Sequence, residues 1–331
     1  MITGKFFNII FYNKKENFLI FLFLLVLISG ATYPQLIKPE NFLLKPVLSR
    51  ISANDITDIV VDGDRIWFGT SKGLVYTDDG ENFYTISRKD GLGKGGVSAI
   101  GINDGVIWIA TSFDSLISGS RLDVGGGLSY SRDNGMTWNW LPQPVDDVSD
   151  TAEGKKPTTT AVQNVTYDIA FRGNEIWIAS WGGGLRRSKD SGKNWETVTP
   201  DKFPFDVLTN LNHRAFSVIS AKNGLWVGTA GGINKSTDGG KTWTNYTAQN
   251  GSGISGNFVV ALKEQVFQGK SIIWAATWKA EGKNEFDAVS KTENGGLTWE
   301  VCLEGEKAHN FAFFENEVYV ARSVVLGNTW I

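Results

Sequence analysis

One cysteine, Cys302, stands in a chain of 331 residues. A lone thiol excludes an intramolecular disulfide and any cysteine-rich metal site. It lies in the apolar stretch WEVCLE, so it reads as a small buried hydrophobe. Histidine is almost as scarce. His213 and His309 each lack a partner at metal-ligand spacing, so structural roles are expected and no metal site. The acidic run Asp146-Asp147-Val148-Ser149-Asp150 reads as a solvated loop in preference to a calcium site. The net charge of −3 lacks the basic excess of a nucleic-acid binder. Only 8 prolines accompany 38 glycines, which removes the disordered low-complexity class. What is plentiful is glycine and tryptophan (13), a pairing that suits short strands joined by tight turns.

Long apolar runs are also missing, with one short exception. After Lys5, Lys14 and Lys15 comes FLIFLFLLVLI, Phe18–Ile28, followed by Ser29-Gly30-Ala31. A basic start, an apolar middle and small residues at the end make residues 1–31 a secretory signal peptide. Eleven apolar residues are too few for a comfortable transmembrane helix. Export to a secreted, periplasmic or cell-surface location is expected, with membrane contact only through an uncleaved signal. Residues 32–54, with three prolines, read as an extended lead-in whose strand near Phe42–Leu48 is available to close a ring.

From residue 55 to 331 one phrase recurs. It is STDGGKTW at Ser236–Trp243, SRDNGMTW at Ser131–Trp138 and SKDSGKNW at Ser188–Trp195. Looser copies are TENGGLTW (Thr292–Trp299), YTDDGENF (Tyr76–Phe83) and SVVLGNTW (Ser323–Trp330). The aligned glycines Gly80, Gly135, Gly192, Gly240 and Gly296 are 55, 57, 48 and 56 residues apart, and Gly327 follows after only 31. A period of this size signals a repeat architecture. Each unit opens with a β-rich run and a Gly/Asn/Asp turn. A second strand follows, such as RIWFGTS, VIWIATS, EIWIASW, GLWVGTA, IIWAATW or EVYVARS. Apolar, β-branched and aromatic residues between turn signals are strand signals. A third strand enters the phrase and a fourth leaves it. Four antiparallel strands repeated radially predict an all-β propeller. Six blades are recognisable, starting near 55, 96, 163, 214, 257 and 309. The last is incomplete, and a seventh is admitted if the chain is a piece of a longer one or is closed by the N-terminal strand.

The copies at 131–138, 188–195 and 236–243 resemble the Asp-box (BNR) repeat, Ser-x-Asp-x-Gly-x-Thr-Trp. Proteins carrying it include sialidases, xyloglucan-active glycosidases, sortilin-type receptors and propellers of the photosystem II assembly-factor type. The resemblance implies a propeller scaffold and leaves the activity open, because those families use one scaffold differently. The phrase itself reads as structural. Ser131, Ser188 and Ser236 with Asp133, Asp190 and Asp238 should hold a tight turn by accepting backbone N–H groups. Gly135, Gly192, Gly240 and Gly296 should permit its backbone. Trp138, Trp195, Trp243 and Trp299 should bury a ring against a neighbouring unit.

Strand alternation places these turns at one end of every blade. The insertions Ser112–Gly126, Leu141–Gln163, Pro200–Arg214 and Trp278–Asp287 then fall at the other end, as loops. Long loops on a rigid scaffold are where function is usually carried. Candidate ligand-binding residues there are Trp181, Trp278, Phe113, Arg121, Arg186, Arg214 and Asp287, aromatics beside charges that suit a protein, peptide or glycan. No catalytic residue, cofactor or metal site is assigned. The expected function is an exported, non-catalytic binding or assembly module. The alternative is a glycoside hydrolase of sialidase or xyloglucan-active type. Against it, the first unit holds only Arg50, Arg65 and Arg88 where the sialidase resemblance implies an arginine cluster, and the sialidase Arg-Ile-Pro signature is absent. Xyloglucan-active enzymes are also built on two such propellers. Asp114, Asp123, Glu285 and Asp287 remain available as carboxylates on the loop face.

Overall fold

The computed structural model describes residues 51, 53, 55–146 and 159–322. The expected signal peptide at 1–31, the expected strand near Phe42–Leu48, the run Asp147–Asp150 and the copy at Ser323–Trp330 lie outside the described residues. The strands assemble as sequential antiparallel meanders. The first sheet holds β1 (Ile56–Asp62), β2 (Arg65–Thr70), β3 (Gly73–Thr77) and β4 (Tyr84–Ile86). The second holds β5 (Gly96–Asn103), β6 (Val106–Ile117), β7 (Ser120–Ser131) and β8 (Asn139–Leu141). The third is β9 (Thr166–Arg172), β10 (Glu175–Ser180), β11 (Gly184–Ser188) and β12 (Glu196–Val198). The fourth is β13 (Ala215–Ala221), β14 (Gly224–Thr229), β15 (Gly232–Ser236) and β16 (Thr244–Tyr246). The fifth is β17 (Phe258–Phe267), β18 (Lys270–Trp278), β19 (Ala288–Thr292) and β20 (Glu300–Cys302). A two-stranded sheet, β21 (Ala308–Phe314) and β22 (Glu317–Arg322), follows.

The expected count of six blades, the last incomplete, is therefore corrected to five. Among the described residues five blades have four strands, and the sixth unit is a hairpin. The cause is local. Ser188 follows Trp177 by 11 residues and Ser236 follows Trp226 by 10, which leaves room for a turn and a third strand. Ser323 follows the equivalent Tyr319 by 4 residues, which leaves none. β1 at one end of the series exposes Ile59 and Val61, and the hairpin at the other exposes Phe314 and Tyr319.

The core lies between blades. Trp67 packs with Val97 and Ile100 of the next blade, and Trp138 closes that cluster. Trp108 with Trp195, Trp177 with Trp243 and Trp226 with Trp299 anchor the next three clusters. Each cluster thus joins the second-strand tryptophan of one blade to the phrase tryptophan of the following one. The phrase glycine lies on the same ring. A Cβ added at Gly135 would meet Trp67 Cη2 at 2.7 Å, at Gly192 Trp108 Cη2 at 2.7 Å and at Gly240 Trp177 Cη2 at 2.7 Å. A cation completes the joint three times. Arg65 donates to Asn134 O at 2.9 Å, Arg187 to Gly239 O at 2.9 Å and Lys235 to Gly295 O at 2.7 Å. Each of these cations also lies over the tryptophan of its own blade, at 4.9–5.2 Å from the ring centroid.

Inside the turn the hydrogen bonds repeat. Asp133 accepts from Ser131 Oγ (2.7 Å), Thr137 N (2.9 Å) and Thr137 Oγ1 (2.6 Å), while Gly135 N donates to Ser131 Oγ (2.8 Å). Asn294 reproduces this with an amide, accepting from Thr298 N and donating to Thr298 Oγ1. The bonds favour the ionised carboxylate. The Thr137 hydroxyl and amide hold Asp133 down at about 2, and the Asn194 backbone and side chain hold Asp190 at about 2. The Thr242 hydroxyl and amide likewise hold Asp238 well below the usual carboxylate range. The unfolded groups titrate near 3.8, so this stability is complete above about pH 4 and is lost as pH falls through about 2. Melting temperature is expected to drop over that window. Asp238→Ala is expected to lower the neutral-pH melting temperature by roughly a few degrees and to make the acid limb shallower. An unchanged acid limb in differential scanning calorimetry would remove Asp238 from this account.

Candidate functional site

The first strand of every unit carries a β-bulge at the same place. The ladder with the second strand slips between Ile56 and Asp58, Val97 and Ala99, Thr166 and Asp168, Ala215 and Ser217, Val259 and Ala261, and Ala308 and Asn310. The skipped residues are Thr57, Ser98, Tyr167, Phe216, Val260 and His309. A bulge re-aims a side chain without ending the strand. All six of these residues line one cavity of about 810 Å³. Its other walls come from the starts of first strands, the ends of second strands and the β6–β7 hairpin. It therefore lies at the opposite end of the strands from the phrase turns.

At three of the six bulges the next residue, Asp58, Asp168 or Ser217, stitches neighbouring first strands together. Asp58 Oδ2 accepts from Ile100 N at 2.8 Å, and Asp168 Oδ2 accepts from Val218 N at 3.0 Å and Ser217 Oγ at 2.7 Å. Ser217 Oγ in turn accepts from Leu262 N at 3.0 Å. Burial pushes the Asp58 carboxyl up to about 6, with Lys263 pulling it down and Asp168 adding to the rise. Burial also raises Asp168, again against the pull of Lys263. One lysine thus serves two carboxylates at the bottom of the cavity.

The upper walls differ. On one side the rings run in sequence. Tyr167 lies 5.6 Å from Phe216, Phe216 4.7 Å from Phe258, and Phe258 5.9 Å from Trp278, between ring centroids. His309 meets the Trp278 ring edge-on at 4.8 Å. On the other side stand Asp55, Asp114 and Asp123. The segment Ser112–Gly126, expected as a loop, is instead the extended tip of β6–β7. Its register runs from Ser112↔Gly125 to Ile117↔Ser120. Ser118 and Gly119, both with positive φ (49° and 82°), close the two-residue hairpin turn. That register sets Asp114 directly opposite Asp123. Burial raises the Asp123 carboxyl, and contact with Asp114 raises it further. Arg121, exposed and on the same face as Asp123, lies 3.5 Å from Asp114.

Of the residues expected to bind ligand, Phe113 and Trp278 line this cavity. Lys94 Nζ lies 3.7 Å from the Phe113 ring centroid and Lys307 Nζ 5.3 Å from that of Trp278. The others are placed elsewhere. Trp181 lies beneath the Arg214 guanidinium at 5.3 Å. Arg214 itself donates to Val207 O and Leu208 O. Arg186 is 2 % exposed and its guanidinium is 2.6 Å from Asp146, so it faces protein and not solvent. Asp287 accepts from Lys279 N at 2.9 Å and anchors the loop after β18. Glu285 is buried in that loop, accepting from Gln249, Asn257, Ala280 and Gly282. His213 is buried, taking the Asp206 N–H on Nδ1 at 2.8 Å with Asp201 at 2.9 Å from Nε2. The sequence reading missed the bulge residues Tyr167 and Phe216, and Phe258 beside them. Their only signal was the break in alternation at the start of each first strand.

Among the described residues no three His, Cys, Asp or Glu side chains cluster to hold a metal ion, and no helix is long and apolar enough to cross a membrane. The radial series of four-stranded antiparallel sheets defines a β-propeller. No family model and no curated relative matches the chain. Solved structures with the same fold include an ancestral GH74 enzyme, at 19 % identity and a TM-score of 0.50, over 76 % of this chain and 32 % of that one. The extracellular domain of a putative hybrid two-component system from B. thetaiotaomicron aligns at 16 % identity and a TM-score of 0.52, over 82 % and 33 % of the two chains. YCF48 from Cyanidioschyzon merolae aligns at 15 % identity and a TM-score of 0.50, over 80 % and 79 %. The chain spans about a third of the length of the first two. At these identities the likeness shows the fold alone.

Proposed function

We propose that the chain is an exported, non-catalytic binding module of the Asp-box type, and that it takes a protein, peptide or glycan segment into the cavity framed by the six bulges. The observation that carries this reading is the lining. Six bulges at one level spend ladder pairing to aim side chains inward, and four aromatic residues line the wall they meet. A concave, mostly apolar site with a few convergent polar groups is the usual form of a binding pocket. Neighbours of the same fold include an enzyme, the extracellular domain of a putative two-component system and YCF48, so the fold does not decide among activities.

The carboxylate geometry favours binding over hydrolysis. Glycoside hydrolysis needs two carboxyl groups about 5–10 Å apart on either side of the scissile bond. Asp114 and Asp123 sit directly opposite each other on one face of the β6–β7 ladder, side by side and not on either side of a bond. Asp58 and Asp168 spend their oxygens on backbone amides of neighbouring strands. A screen of peptides and oligosaccharides on the full chain tests the reading. Trp278→Ala is expected to weaken a detected affinity by about tenfold, a loss of ~1.4 kcal/mol. Trp181→Ala, outside the cavity, is expected to leave it within about twofold. The opposite order would move the site to the Trp181–Arg214 surface.

A further inference from the structure

We propose that the ligand this cavity accepts is a cationic side chain, the ammonium of a lysine presented on a protein segment. The proposal rests on the binding reading above and names the chemistry of its occupant. The charge of the lining is one-sided. Asp55, Asp58, Asp114, Asp123 and Asp168 face one lysine, Lys263. The charge of that lysine pulls down both deep carboxyls, which are already bonded to backbone amides. The negative charge nearer the mouth belongs to Asp55, Asp114 and Asp123. Asp114 and Asp123 oppose each other across the hairpin, an arrangement of like charges that destabilises a strand pair unless something intervenes. Arg121, two residues before Asp123 on the same face of the strand, lies 3.5 Å from Asp114 and offsets part of that charge.

The aromatic wall supplies the other half. Tyr167 and Asp123 line the same cavity, and burial first and the Asp123 charge second raise the Tyr167 phenol. An ammonium between them gains an ion pair and a cation–π contact together. Two intramolecular cations show that rings at this mouth accept ammonium groups, since Lys94 lies over Phe113 and Lys307 over Trp278. The lysine stem would lie along Phe216 and Phe258, whose rings continue the wall inward. A carboxylate or phosphate would meet five carboxylates in this lining against Lys263 within it and Lys94 and Lys307 at its edge.

The test is fluorescence anisotropy on the full chain with labelled probes: a lysine-rich peptide, its fully acetylated form, a glutamate-rich peptide, a neutral β-linked glucan oligosaccharide and free pentylamine. The lysine peptide is expected to bind, and acetylation is expected to weaken it at least about tenfold. Raising salt from about 50 to about 500 mM should weaken it as well, because the charges near the mouth are solvated. The double variant Asp114→Asn, Asp123→Asn is expected to lose at least about tenfold in affinity. Tyr167→Leu should lose less, and Asp78→Asn, on the opposite face, nothing. Circular dichroism melts that match wild type confirm that the asparagine variant is folded. Displacement of the peptide by pentylamine assigns recognition to the ammonium, and failure to displace assigns part of it to the peptide backbone. Equal affinity for acetylated and unacetylated peptide, or for the double variant, would overturn the cationic ligand. Glucan or glutamate-peptide binding that Trp278→Ala abolishes would overturn it while leaving the binding cavity in place. Binding that no cavity variant alters, or no binding by any probe, would overturn both.

Discussion

Trp177→Ala is expected to destabilise the protein by about 3–5 kcal/mol, the range for removing a large aromatic side chain from a packed core. Trp177 is fully buried and belongs to the cluster between the third and fourth blades, with Leu185, Val218, Leu225 and Trp243 about it. Three other contacts end on the same ring. Its Nε1 donates to Glu175 at 3.2 Å, the Arg187 guanidinium lies over it at 5.0 Å, and the Gly240 turn rests on its edge. Alanine would remove the ring and leave a void that no single neighbour can fill. It would also remove the surface on which Arg187 is held while it donates to Gly239 O. For a domain of this size the melting temperature should fall by on the order of 10 °C. Trp177→Phe should recover part of that loss, because a ring remains. Urea unfolding with an unchanged slope would assign the effect to the folded state. A loss below about 1 kcal/mol would mean that the blades are not joined through these rings.

Much of this joint was legible in the sequence. The phrase and the second-strand tryptophans recur at matched offsets, and both patterns follow from local turn and strand chemistry. Serine, aspartate and glycine at fixed spacing specify a turn whatever surrounds them. The partnership between Trp177 and Gly240 was not legible, because it joins different repeats and depends on how blades lie side by side. The cavity was hidden for a related reason. Phe113 and Trp278 were visible as aromatics near insertions, and both reached the lining. Tyr167, Phe216 and His309 sit inside regular first strands. Only a one-residue slip in the ladder turns them inward. Arg186 shows the opposite failure. A charged residue in a third strand reads as solvent-facing, but Asp146 on an inter-blade link buries it as a pair. The Ser112–Gly126 insertion read as a loop because it contains glycines and serines. Phe113–Ile117 reads Phe-Asp-Ser-Leu-Ile, without apolar alternation, and only the ladder with β7 makes it a strand.

Gly240→Ala and Gly239→Ala, adjacent substitutions in one turn, are expected to differ by about 1–3 kcal/mol. Both glycines have positive φ, +83° and +74°, so alanine is strained at either and loses about 1 kcal/mol there. A Cβ at Gly239 meets nothing within 4 Å, so its cost ends with the backbone. A Cβ at Gly240 meets Trp177 Cη2 at 2.7 Å, closer than carbon atoms tolerate. The ring cannot swing aside, since Arg187 covers its face and the cluster between the blades surrounds it. The turn must lift instead, which stretches the Arg187 bond to Gly239 O and draws Trp243 out of the cluster. Combining Gly240→Ala with Trp177→Phe, whose ring is shorter, should relieve part of the overlap. The double variant is then expected to be more stable than the sum of the two single losses predicts. Strict additivity in a chemical-denaturation cycle would show that the glycine serves its own turn and not the neighbouring blade.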